Sequence, residues 1–129
     1  MKYFSTRDSS KKVSAAQAIV QGLAPDGGLY VPERIPSVSM EEINELCKLD
    51  YRERAVKIMG LYLEEFTPAE LRSFVKDAYA DNFDTAAIAP TAFTDDGTGL
   101  LELWHGPTCA FKDMALQMLP RPCEARIRL

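Results

Sequence analysis

Cysteine, histidine and tryptophan are all scarce in this chain of 129 residues, which holds three, one and one of them. Cys47, Cys109 and Cys123 form no C-x-x-C pair, and His105 alone completes no metal-ligand set with them. A zinc ribbon and a disulfide scaffold are therefore excluded, and no metal is expected. The odd thiol count predicts reduced cysteines in a cytoplasmic protein. No apolar run reaches the roughly 18 residues of a membrane span. Residues 1–12 are polar and charged, unlike a signal peptide. Basic runs are missing too: the net charge is -4, and the one arginine cluster is Arg121, Arg126 and Arg128. That balance predicts neither nucleic acid nor a membrane as partner. What remains, 47% hydrophobic and 26% charged residues, is enough for the core of one domain, or of one domain and a piece of a second.

The first two thirds read mainly as helices. Residues 2–6 (KYFST) suggest a short edge strand. Residues 13–24 then suggest a helix, with Ser14 and Gln17 as a capping box. Its face is Ala15, Ala18, Ile19, Gly22 and Leu23. Pro25 stops it, Asp26-Gly27-Gly28 supplies a turn, and Leu29-Tyr30-Val31 is a strand closed by Pro32. Three further boxes follow. Ser39 with Glu42 opens a helix presenting Ile43, Leu46 and Cys47. Asp50 with Glu53 opens one presenting Val56, Met59, Leu63 and Phe66. Thr67, Pro68 and Glu70 open one presenting Leu71, Phe74, Val75 and Ala78. Four caps with four apolar stripes predict a bundle-like first part.

From Asp84 the texture changes. The turn signals in Asp95-Asp96-Gly97-Thr98-Gly99 and the apolar run 100–104 (LLELW) predict a hairpin over 91–104. His105 to Thr108 form a tight connection. Residues 109–119 then predict a helix capped by Thr108, with Phe111, Met114, Ala115, Met118 and Leu119 on its apolar side. Pro120 and Pro122 would end it. Lys112 thus falls in the first turn of a helix, where unpaired N–H groups disfavour an ammonium. A lysine nucleophile that forms Schiff bases needs that lowered proton affinity. A solvated surface charge is the plainer role, and spacing alone leaves both open.

The wording of the segment adds something. LELWHGPTCAFKDMALQ resembles the part of threonine synthases in which the lysine of an H-G-P-T-x-A-F-K-D motif carries pyridoxal 5'-phosphate. Upstream, Lys2-Tyr3-Phe4-Ser5-Thr6-Arg7 is similar to the family's opening, with Asp8 where glycine is common. Residues 24–32 (APDGGLYVP) are similar to its D-G-G-L-Y-V-P block. The resemblance covers residues 1 to about 119, and that block sets it apart from related dehydratases of the same cofactor fold type.

The resemblance implies an α+β fold: a mostly helical N-terminal domain over 1–85, then over 86–119 the first strand–helix piece of a fold-type II α/β cofactor domain. It implies that Lys112 is the Schiff-base lysine and proton carrier. It puts Phe111 beside the cofactor ring, although Phe111 also reads as a core aromatic. Thr108 is a candidate hydrogen-bond donor to the cofactor and equally an N-cap. His105 reads as a structural histidine, and Asp113 as favouring the helix N-terminus. The implied reaction takes O-phospho-L-homoserine and water to L-threonine and phosphate, with oligomeric state open. Family members are several times longer, so this chain is expected to be an inactive N-terminal fragment. Residues 120–129 (PRPCEARIRL) resemble nothing in the family and suggest a shifted reading frame. The alternative is a non-catalytic helical module that binds a partner through apolar residues. Either way, Trp104, Phe111, Met114 and Met118 are expected to be short of partners, and the C-terminal third less ordered.

Overall fold

The computed structural model describes residues 1–127. The elements run β1 (Lys2–Ser5), β2 (Lys12–Ser14), α1 (Ala15–Gln21), β3 (Tyr30–Pro32), α2 (Met40–Cys47), α3 (Tyr51–Tyr62), α4 (Pro68–Ala78), β4 (Thr91–Phe93), β5 (Gly99–Leu101), α5 (Asp113–Leu116) and α6 (Pro120–Ile127). This is an α+β fold in which a small sheet joins the helices, rather than a pure bundle.

The sheet order is β2-β1-β3, and both pairings are antiparallel. The aromatic run at 2–5 is therefore central, not an edge. Residues 12–14 lie extended beside it instead of starting the helix, and Tyr3 pairs with Val13 on one side and Pro32 on the other. The Asp26 carboxylate builds the turn before β3. Its Oδ1 accepts from Gly28 N at 2.8 Å and from Ser5 Oγ at 2.7 Å. Gly27 takes a φ of 77°, which glycine adopts without strain.

All four capping boxes form. Ser14, Ser39, Asp50 and Thr67 each accept from the backbone three residues on, and Gln17, Glu42, Glu53 and Glu70 return the bond. The stripe of α4 is buried as its spacing predicts, at Leu71, Phe74, Val75 and Ala78. By contrast α2 buries nothing. Its Leu46 faces Ile58 and Leu61 of α3 across an open groove, so α2 lies outside the core.

That core joins Ala16, Phe66, Leu71, Phe74, Val75, Ala78, Tyr79, Phe83, Ile88 and Met118. Residues on both sides of position 85 share it. Met118 is buried and well packed, contrary to the expectation for it, and Met114 is half-buried against the same cluster. Trp104 and Phe111 do stay in solvent, 51% and 65% exposed.

The C-terminal third departs most from its pattern. β4 and β5 pair only from Thr91↔Leu101 to Phe93↔Gly99, and both strands are exposed. Residues 109–119 do not form one helix: Cys109 takes a φ of 56°, which no helix accommodates, and only Asp113–Leu116 coils as α5. Pro120 and Pro122 do not end a helix but open α6. First-turn N–H groups lack intrahelical partners anyway, so proline costs little there. α6 packs against α1 and α4. Of the arginine cluster, Arg128 lies outside the described residues.

Candidate active site

After β5 the chain turns through residues 102–112 and reaches α5. Two carboxylate clamps hold that turn. The first grips His105, whose side chain is 16% exposed. Its Nδ1 faces Asp84 Oδ1, and its Nε2 lies 2.7 Å from Glu102 Oε2. A ring flanked by acceptors at both nitrogens is suited to the doubly protonated imidazolium, the form with two donors. The Glu102 and Asp84 hydrogen bonds accordingly raise the His105 pKa above its ordinary value. Asp84 N also donates to the His105 carbonyl at 3.0 Å. His105 is thus a satisfied structural histidine, joining the loop after α4 to the end of the hairpin.

The second clamp is Asp113, which is 1% exposed. Its Oδ2 accepts from Thr108 N at 2.8 Å, and both its oxygens lie 2.9 Å from Thr108 Oγ1. Gly106 makes room for it: a Cβ there would meet Asp113 Cβ at 2.5 Å. Between these residues, Cys109 N donates to the Gly106 carbonyl and Asp113 N to the Ala110 carbonyl, each at 3.0 Å. Two bonds fasten α5 to the region of α4: Tyr79 OH to the Met114 carbonyl at 2.7 Å, and Asn82 Nδ2 to Gln117 Oε1 at 2.9 Å.

Lys112 rides on this clamped turn. Its backbone is αR, at φ -65° and ψ -19°, and its side chain is exposed. It occupies the N-cap of α5 rather than the interior of a helical first turn. Four residues align too few peptide dipoles for the field argument, which therefore does not carry its chemistry. Geometry does. Among the described residues, no carboxylate ion-pairs with its amine. The acid next to it in sequence is turned inward to Thr108. An unpaired amine on a fixed turn fits a cofactor that presents an aldehyde carbon.

The other two site candidates separate. Phe111, beside Lys112, is no core aromatic; its ring is open to solvent. Thr108 is not an N-cap, because no helix starts at 109, and its hydroxyl faces Asp113 instead of an open space. Asp113 does begin α5, but its carboxylate serves the turn. The sequence reading gave no site role to Gly106, Asp84 or Glu102. Gly106 and Glu102 lie within three residues of His105, whereas Asp84 reaches it from 21 positions away.

A family profile described as threonine synthase N terminus matches residues 2–79. The chain is 44% identical over 125 residues to a threonine synthase of Saccharomyces cerevisiae, covering 91% of this chain and 24% of that protein. To the Escherichia coli threonine synthase it is 40% identical over 114 residues, 88% of this chain and 25% of the relative. Among solved structures, the pyridoxal-phosphate-bound threonine synthase of Brucella melitensis superposes with a TM-score of 0.92 at 37% identity, over 99% of this chain and 28% of that one. The yeast threonine synthase structure gives 0.90 at 40% identity, over 98% and 26%. The chain thus spans about a quarter of the length of the curated relatives it matches.

Proposed function

The chain belongs to the threonine synthase family through its N-terminal region, and on that premise we propose that it carries the cofactor-lysine segment of a threonine synthase. The reaction is the conversion of O-phospho-L-homoserine and water to L-threonine and phosphate. Lys112 is the residue that holds pyridoxal 5'-phosphate, through Nζ, and that carries protons at that atom. Its exposed amine, with no ion pair among the described residues, on a doubly clamped turn is the observation that carries this reading. When bound, the cofactor supplies an electron sink for carbanions, leaving orientation and proton transfer to the protein. Phe111, exposed next to Lys112, is an apolar side chain available to cover a ring. Thr108 borders the same turn; with its hydroxyl proton directed at Asp113, it offers an incoming group acceptor lone pairs.

Residues 1–85 form the N-terminal domain in this proposal, and residues 86–119 begin the cofactor domain. Gly97 and Gly99 belong to the hairpin, Gly97 in its turn and Gly99 at the start of β5. Residues 120–129 are proposed to come from a shifted reading frame, which sequencing the other two frames past codon 120 would test. Among the described residues no helix is long and apolar enough to cross a membrane. With three free thiols, the cytoplasm is the proposed compartment.

The test is reduction with borohydride in the presence of pyridoxal 5'-phosphate, followed by peptide mapping. One label per chain at Lys112, with the six other lysines unmodified, supports the assignment. Label scattered over the lysines would sink it and favour the non-catalytic module.

A further inference from the structure

We infer that Asp113 is the positioning residue for Lys112, acting through Thr108 and with Gly106 as its required neighbour. The inference rests on the reading of Lys112 as the reactive amine. A carboxylate turned toward a lysine amine favours its protonated form and draws it aside. Here both Asp113 oxygens are engaged by Thr108, one by the backbone N–H and the hydroxyl, the other by the hydroxyl. The Asp113 side chain is buried, and among the described residues no carboxylate ion-pairs with Lys112.

The same bonds set the backbone. Closing the span from Thr108 to Asp113 forces the chain through a left-handed corner at Cys109, φ 56°, a conformation that an isolated non-glycine residue avoids. The clamp holds that corner, and with it the αR geometry at Lys112. Gly106 is part of the device because any side chain there would displace the Asp113 carboxylate, with Oδ2 only 2.7 Å from the position of a Cβ.

The experiment compares the full chain with Asp113→Asn, Thr108→Val and Thr108→Ser. Asp113→Asn removes the charge but keeps one acceptor. Thr108→Val removes the hydroxyl at nearly constant volume, and Thr108→Ser restores it. Two measurements need no cofactor: hydrogen exchange of the residue-108 amide, and acetic anhydride reactivity of Lys112 relative to the exposed Lys76. The third is pyridoxal phosphate labelling at Lys112 under borohydride. Loss of the charged acceptor should speed exchange of the residue-108 amide about tenfold or more in Asp113→Asn, and less in Thr108→Val, which keeps that amide's own bond to Asp113 Oδ2. Lys112 should lose its relative anhydride reactivity and its labelling preference in both, while Thr108→Ser keeps all three. If Lys112 kept its reactivity in Asp113→Asn and Thr108→Val, the positioning role would be overturned. A wild-type chain with no pyridoxal phosphate preference for Lys112 would instead remove the cofactor reading. The positioning role would then stand or fall on the two cofactor-free measurements.

Discussion

The Tyr79 hydroxyl donates to the Met114 carbonyl at 2.7 Å, joining the end of α4 to the helix that follows Lys112. Tyr79 is 1% exposed, and burial, with Tyr51 beside it, pushes its phenol pKa well up, so the donor keeps its proton. Tyr79→Phe leaves the ring packing on Tyr51 and Phe83 intact and removes the bond to Met114 together with the hydroxyl's hydrogen-bond interaction with Tyr51. The Met114 carbonyl then loses a partner, costing about 1–2 kcal/mol. Urea unfolding measures the loss. Faster amide exchange confined to residues 113–117 should accompany it, and an unchanged midpoint would show that the bond contributes nothing.

His105 makes stability depend on pH, and the sign is fixed by its raised pKa. A group that binds its proton more tightly when folded adds stability wherever the unfolded form is also protonated. That contribution is fully present below the ordinary value of 6.5 and fades as pH rises through the higher folded value. The facing groups, Asp84 and Glu102, are the acceptors that hold the proton. His105→Gln should therefore cost most on the acidic side, at about pH 5.5, and progressively less in alkali. Thermal melts of both proteins across that range read the difference; a gap that does not vary with pH would exclude the imidazolium.

Much of the first two thirds was legible because its signals are local. A cap and its box partner are three residues apart, and all four pairs form. The stripe of α4 was readable for the same reason. β2 was not: three residues at Lys12–Ser14 have no periodicity of their own and extend because β1 needs a neighbour. The segment after His105 misled most. Its apolar spacing suits a helix, yet the Thr108–Asp113 clamp competes with helical bonding and wins. Short polar side chains that bond nearby backbone regularly do this. Lys112 was proposed from a motif, whereas the direction of the Asp113 carboxylate beside it, turned to Thr108, is visible only in the structure.

The capping boxes should differ in what they protect. α4 buries four apolar residues, so Thr67→Ala should lower global stability by about 1 kcal/mol. α2 buries none, so Ser39→Ala should fray that helix while leaving the unfolding midpoint nearly unchanged. Exchange rates at residues 40–47, measured together with the melting curve, separate local fraying from global loss. Equal midpoint shifts for the two variants would mean that α2 contributes to the cooperative core after all.

Two glycines predict opposite outcomes for the same substitution. A Cβ at Gly28 would lie 2.0 Å from Ser5 Oγ and 3.0 Å from Asp26 Oδ1. Ser5 is buried, donates to Asp26 and accepts from Arg7 N, so its hydroxyl cannot move aside without losing both bonds. Gly28→Ala should destabilise by about 2 kcal/mol or more through that overlap. Gly60 sits inside α3, where a Cβ would meet only Leu71 Cδ1, at an ordinary 3.7 Å. Alanine there restricts the unfolded chain and favours the helix, so Gly60→Ala should stabilise by about 0.5–1 kcal/mol. Denaturant unfolding of the pair gives both signs in one series. A stabilised Gly28→Ala would mean that the Ser5–Asp26 bond does not hold the sheet to its turn, and a destabilised Gly60→Ala would mean that Leu71 packs closer to α3 than 3.7 Å allows.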